Sequence, residues 1–307
     1  MSEQKVKQHR LESFLAAFAS WTIPFLPRFL LRMLACGLAR LAYIASERDR
    51  KVADANLRCV FGDTISAVDR RRITIASFRS FAMLLLDLFW FHRFSEKRIQ
   101  RYVDFDESAS RYFETKPAII ITAHFGNWEV MAQAAAYRNE PCVSIAAPMS
   151  NPAVERLLQN LRGKSGQSIQ TQQGAVRALM KVLRSGQRTG LLLDQNTLPA
   201  EGGEFVDFMG LPAPVSLAGS MLGLRMGAPI MIVYCLAQPG GRYRLFGTEP
   251  FEVTKENVAD TTQAIATRMG DIIQRNPEQW LWMYKRWKFI PEGHDGKGFP
   301  YYARPVK

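Results

Sequence analysis

The sequence predicts an α/β protein with a mostly parallel central sheet flanked by helices, and a helical, membrane-associating region at its N-terminus. Three observations lead there. After Glu114, short apolar or β-branched runs alternate with helix-like segments, the pattern of strands joined by helical crossovers. Before that point the chain is helical in texture, basic and rich in large apolar side chains. Apolar residues make up 47% of the 307 and charged residues 22%, which excludes a disordered or low-complexity chain and provides a sizeable core.

The basic surplus sits at one end. Lys and Arg number 40 against 28 Asp and Glu, a net charge of +12, and residues 1–101 hold 18 of the basic and 9 of the acidic side chains. Such a field calls for an anionic partner: nucleic acid, an acidic protein or an anionic membrane surface. Met1–Glu12 is polar and mixed in charge, so no cleavable signal peptide is expected. From Ser13 to Pro27 there is no charge, and then Arg28, Arg32 and Arg40 interrupt the apolar stretch. A spanning helix needs about twenty mainly apolar residues. The segment is therefore expected to lie in a bilayer interface or span it marginally, kinked near Trp21 and Pro24, with its arginines at the headgroups. A core helix covered by the rest of the chain is the alternative. The basic run Arg48, Arg50 and Lys51 follows directly, and a second helical stretch, 69–94, carries Arg70, Arg71, Arg72 and Arg79 before the apolar Phe81–Trp90. These features set the expected divisions: a basic helical region over 1–101, an α/β body over 102–290 and a C-terminal tail over 291–307.

Within the body the elements follow in order. Residues 117–122 form a nearly unbroken β-branched run, as in a strand buried on both faces. Residues 128–138 are Ala-rich and helix-like, 142–147 form the next strand, and 151–163 a helix opened by Asn151-Pro152. A helix over 174–184 leads to a strand over 189–193 that ends in Asp194-Gln195-Asn196. A helix over 215–226 closes at Gly227, a strand covers 229–235, outer strands cover 243–246 and 251–253, and a helix covers 261–275. The tail from Pro291 reads as loop. In a parallel sheet of this kind chemistry sits at the carboxyl ends of the strands, and His124 falls at such an end.

His124-Phe-Gly-Asn-Trp-Glu129 occupies the turn from a buried strand into a helix. Gly126 permits a tight turn, Asn127 can cap the helix, and Glu129 lies in its first turn, where the helix dipole favours an ionised carboxylate. A carboxylate there can hold one imidazole nitrogen and leave the other free as a base, against the alternative of a structural His beside a cap. The four cysteines, Cys36, Cys59, Cys142 and Cys235, are far apart and read as reduced thiols. With four histidines and no metal-ligand spacing, no metal is expected. Nucleophile-elbow, phosphate-loop and dinucleotide signatures are missing from the sequence. Trp280, Trp282 and Trp287, close to Lys285, Arg286 and Lys288, fit core packing, a lipid interface or base stacking.

These residues carry a resemblance. From about Leu30 to Lys288 the chain resembles the late acyltransferases of lipid A biosynthesis, the lauroyl and myristoyl transferases of Gram-negative inner membranes. His124-Phe-Gly-Asn-Trp-Glu129 matches that family's H-x4-[DE] motif nearly letter for letter. Ala55-Asn-Leu-Arg58 with Phe61, Pro148 with Asn151-Pro152, Leu161-Arg-Gly163, Leu193-Asp-Gln195 and Phe205–Gly210 resemble its further blocks in order. Leu224–Pro229 and Pro277–Trp282 with Arg286-Trp-Lys288 resemble its C-terminal signatures. The resemblance implies a glycerolipid-acyltransferase-like fold and O-acyl transfer from a thioester, most often acyl carrier protein, to a hydroxyl of a lipid A precursor. His124 would then be the base and Glu129 its partner, with Gly126, Asn127, Arg162, Asp194 and Gln195 as substrate-site candidates; backbone amides near Gly126, or Arg162, are candidate oxyanion donors. No cofactor is implied beyond the carrier-protein or coenzyme A thioester as co-substrate. The implied partners are a lipid acceptor, acyl carrier protein and the anionic cytoplasmic face of the inner membrane, with no nucleic acid. Two departures stand out. Ala147 replaces the arginine the family commonly has before the proline at Pro148, which leaves its usual acceptor-phosphate contact unfilled, and the N-terminal apolar helix is weaker than is typical. Acyl transfer to another glycolipid, aminolipid or glycerophospholipid, and a non-catalytic basic binding module, stay open.

Overall fold

In the computed structural model, residues 3–146, 150–164, 168–171 and 175–306 are described. Ala147, Pro148 and Gly174, which figured in the sequence reading, lie outside them. Four helices come first: α1 (Glu3–Thr22), α2 (Arg28–Ala45), α3 (Glu47–Phe61) and α4 (Ala67–Trp90). Then follow α5 (Ser95–Tyr102), β1 (Val103–Phe105), α6 (Ser110–Glu114), β2 (Ala118–Thr122), α7 (Trp128–Tyr137) and β3 (Cys142–Ala146). The middle holds α8 (Pro152–Lys164), β4 (Ser168–Thr171), α9 (Ala175–Arg184) and β5 (Arg188–Leu192). A hairpin of β6 (Gly203–Phe208) and β7 (Leu211–Ser216) leads to α10 (Ala218–Met226), β8 (Ile230–Gln238), β9 (Arg242–Gly247) and α11 (Val258–Arg275). A short pair, β10 (Phe289–Ile290) and β11 (Arg304–Pro305), ties down the tail.

Seven strands form one sheet in the order β1-β9-β8-β2-β5-β3-β4, parallel at every pairing except β8 with β9. β2 shows why the apolar runs are unbroken. Ile119 and Ile121 point into one core with Leu179 and Leu183 of α9, Leu222 of α10 and Ile265 of α11. Ala118 and Ile120 point into the other, with Leu31 of α2, Trp90 of α4 and Val130 and Ala134 of α7. Alternate residues serve opposite faces, and both faces are covered.

Some boundaries differ from expectation. Val215 belongs to β7, and α10 begins only at Ala218, because the hairpin partner β6 claims that stretch in an antiparallel ladder. The expected outer strand over 251–253 is reduced to a single bridge between Phe251 and Ile230. The N-terminal helices form a layer on the sheet. Leu31, Ala35 and Ala39 of α2 are buried, and the two alanines let that helix lie close along α4. Arg28 departs from its expected place at lipid headgroups. It is buried, ion-paired with Asp87 of α4, with its guanidinium against the rings of Trp90, Phe91, Tyr102 and Tyr243. A charge on the inner stripe of α2 has to find a buried partner, and α4 supplies it.

Candidate active site

β2 and β5 are parallel neighbours, and the chain leaving each turns at the same edge of the sheet. Leu193 donates its amide to the Thr122 carbonyl (3.1 Å), so the segments after both strands stay side by side. That pairing brings His124 and Asp194 together across 70 residues of sequence. Asp194 Oδ1 lies 2.8 Å from His124 Nδ1, and its Oδ2 accepts the His124 amide at 2.9 Å and the Trp280 indole N–H at 2.9 Å. A carboxylate has no proton to give, so Nδ1 carries the hydrogen and the lone pair sits on Nε2. Gln195 Nε2 lies 3.3 Å from that nitrogen. The Asp194 side chain is almost fully buried, whereas that of His124 is 21% exposed.

The sequence expectation gave the imidazole bond to Glu129. In the structure Asp194 makes the bond to Nδ1, while Glu129, near the start of α7, pairs with Arg162 of α8 at 2.5 and 3.1 Å. The reason is direction: Glu129 follows the turn, and its side chain pairs with α8, whereas Asp194 sits beside the imidazole in the segment that follows β5. Burial disfavours the imidazolium, but the charge and hydrogen bond of Asp194, with the charge of Glu129 added, outweigh it and raise the His124 pKa. For Asp194 burial pushes the other way and loses to His124 and to the Trp280 N–H, so its pKa is lowered.

Gly126 and Asn127 do not line the cavity at His124, against expectation. Gly126 has φ +62°, and a Cβ on it would stand 2.0 Å from the Cys235 carbonyl oxygen, so the turn needs glycine there. Its amide donates to Gln279 O (2.9 Å) and that of Asn127 to Cys235 O (2.8 Å), so neither is left to bind an oxyanion. The Asn127 side chain caps α7 by accepting from Val130 N and donates from Nδ2 to Asp87 (3.0 Å). Both residues position the turn. Asp87 was missed in the sequence; the readable signal was a single acid inside the apolar run Phe81–Trp90. Of the three readings the sequence left open for Trp280, core packing is the one that matches its full burial, and its N–H also donates to Asp194.

His124, Glu129, Arg162 and Gln195 line the mouth of a cavity of about 760 Å³. Leu84, Leu85 and Leu88 of α4 and Met131 and Ala135 of α7 form its walls, with Tyr112 and Cys142 deeper in. Such a space suits a hydrocarbon chain with a polar head at the imidazole. All four cysteines are free, and burial pushes the Cys142 thiol up to about 12, which keeps it an inert wall group. Among the described residues no three His, Cys, Asp or Glu side chains are placed to hold a metal ion.

Comparison with known proteins gives a family and several relatives. A family model described as bacterial lipid A biosynthesis acyltransferase matches residues 3–289. The chain is 24% identical over 281 residues to the lipid A biosynthesis lauroyltransferase of Escherichia coli (strain K12), covering 89% of this chain and 90% of that one. It is 24% identical over 286 residues to the lipid A biosynthesis palmitoleoyltransferase of the same strain, with the same coverage. A phosphatidylinositol mannoside acyltransferase of Mycobacterium tuberculosis (strain ATCC 25618 / H37Rv) is 24% identical over 279 residues, 88% of this chain and 86% of that one.

Proposed function

Because the chain belongs to the bacterial lipid A biosynthesis acyltransferase family, we propose that it moves a fatty acyl chain from a thioester to a hydroxyl of a lipid A precursor, with His124 as general base. The protein is an acyltransferase, and lipid A or a related glycolipid is its acceptor class. One observation carries the mechanism: the His124–Asp194 pair at 2.8 Å, set at the mouth of a cavity with mainly apolar walls.

The acceptor hydroxyl gives its proton to Nε2 of His124 as its oxygen attacks the thioester carbonyl carbon. Asp194 holds the imidazolium that forms. When the tetrahedral oxyanion collapses, the C–S bond breaks and the imidazolium returns the proton to the departing thiolate. The acyl chain thus passes directly to the lipid, without an acyl-enzyme. Gln195, resting against Nε2, is the nearest side-chain amide to donate to the oxyanion once the hydroxyl takes its place. Arg162, oriented by Glu129 at the cavity mouth, is suited to a phosphate of the acceptor or of the donor's prosthetic group. Acyl carrier protein is the proposed donor, and the net charge of +12 favours an acidic partner of that kind.

We place the enzyme on the cytoplasmic face of the inner membrane. Phe14, Phe18 and Trp21 of α1 and Phe29, Met33 and Leu41 of α2 are all more than half exposed, and large apolar side chains gathered on two successive helices suit a membrane surface. Among the described residues one helix, Ala67–Trp90, is long and apolar enough to cross a membrane, and 44% of its most apolar window is buried in the protein; α2 and the segment after it meet at 94°. Interfacial seating of α1 and α2 fits this layout better than a span. The mycobacterial relative supports a second reading, the same chemistry on a different phosphoglycolipid.

Transfer of labelled acyl chain from acyl carrier protein to a lipid A precursor in mixed micelles tests the assignment. His124→Ala should lower the rate by about 10²- to 10⁴-fold while the melting curve stays close to that of the parent. Full transfer by a folded His124→Ala protein would remove His124 from the mechanism.

A further inference from the structure

A second recess lies between the end of α2, α3, the start of α4 and the C-terminal segment, and it shares no lining residue with the cavity at His124. Its volume is about 910 Å³, and four cations line it: Arg50, Lys51, Arg58 and Arg71. Asp54 is the acid among the lining residues, and it is already shared by Arg58 (2.8 Å) and Arg70 (2.9 Å). Lys51 pairs with Glu47 outside the recess. Arg50 donates from one terminal nitrogen to the Tyr43 and Ile44 carbonyls at the end of α2, and Arg71 forms no ion pair with a carboxylate among the described residues. The two guanidinium groups flank one ring, 5.2 and 5.8 Å from the centroid of Tyr43. Two cations held at one aromatic ring, each without an acid of its own, form a receptor for an anion with several acceptor oxygens.

The surroundings say where that anion comes from. Leu41 and Ile44 of α2, on either side of Tyr43, are exposed by 64% and 71%. Tyr301, which also lines the recess, is exposed, as an aromatic at a membrane interface would be. With the apolar face of α2 in the hydrocarbon boundary, the recess opens at the level of the headgroups. We propose that this recess binds the phosphate of an anionic bilayer lipid, at a site separate from the acyl-transfer cavity. It orients the enzyme on the surface, and it reads bulk lipid rather than the acceptor. The inference rests on the proposed seating of α1 and α2 in the bilayer.

The test uses the full chain and sedimentation with vesicles of phosphatidylcholine alone or mixed with phosphatidylglycerol. The parent protein should bind both, and tighter when phosphatidylglycerol is present. Arg71→Gln should cut that gain on the order of tenfold, while Arg72→Gln, an exposed neighbour paired with Asp69 and outside the recess, should cut it less than about threefold. Equal losses in the two variants would mean a diffuse field and would overturn the site. Binding of neither vesicle by the parent would overturn the seating and the site together. Neutral-vesicle binding with a gain that ignores Arg71 would overturn the site alone. A second arm separates the sources of phosphate. Phosphatidylglycerol vesicles should shield Arg71 from phenylglyoxal; shielding by inorganic phosphate and not by the vesicles would assign the recess to a free anion and overturn the lipid reading.

Discussion

His124 owes its readiness to take a proton to a carboxylate 70 positions further along the chain. Its raised pKa means that the imidazole keeps its proton to higher pH than a free histidine, so the base form is lost, and the rate falls, as pH drops through that raised value. Asp194→Asn preserves the shape and removes the charge. Its acid limb should move to lower pH while the maximal rate falls by about 10²- to 10⁴-fold, as a rate profile from pH 5 to 9 would record. An acid limb that stays in place would mean that another group sets it. The single sequence carried part of this. The H-x4-E motif marked His124, and the end of an apolar strand marked Asp194 and Gln195. Which carboxylate meets which nitrogen depends on side-chain direction at two neighbouring strand ends, and spacing along one chain does not encode that.

Helix α4 joins the two halves of the molecule. Asp87, on its buried side, accepts from Arg28 of α2, from Tyr243 of β9 (2.5 Å) and from Asn127 in the turn that carries His124 (3.0 Å). The layer of N-terminal helices and the turn that carries His124 therefore hang on one carboxylate. Asp87→Asn leaves the Arg28 charge buried without its partner, and loss of one member of such a pair costs about 3–5 kcal/mol. Urea unfolding should show a loss of that order, with part of it recovered when Arg28→Met is added; a single variant as stable as the parent would show that the network does not hold the layer. The helical periodicity of both segments was legible in the sequence. The pairing of Arg28 with Asp87 was not, because Arg28 followed an uncharged stretch and its spacing with Arg32 and Arg40 suited headgroups equally well.

For the whole molecule, the sheet sets both the place and the depth of the cavity at His124. Cys142, at the start of β3, and Ala118, at the start of β2, both lie level with Arg188 of β5, so Cys142 sits toward the opposite end of the sheet from His124, which follows the end of β2. Cys142→Phe fills the deep end, next to Tyr112. Mass spectrometry of the lipid product should then show a shorter acyl chain, with transfer of short chains retained; an unchanged chain length would place the floor elsewhere. The sequence by itself determined the fold class and the family, because strand and helix periodicities and ordered motifs are properties of a linear pattern. It also located the positive field in the first third of the chain. Tertiary structure alone decided that Asp194 meets the imidazole, that Arg28 turns inward, and that the amides of Gly126 and Asn127 are engaged within the turn. Each of those outcomes depends on which strand or helix lies alongside, and that is settled only when both faces of the sheet are covered.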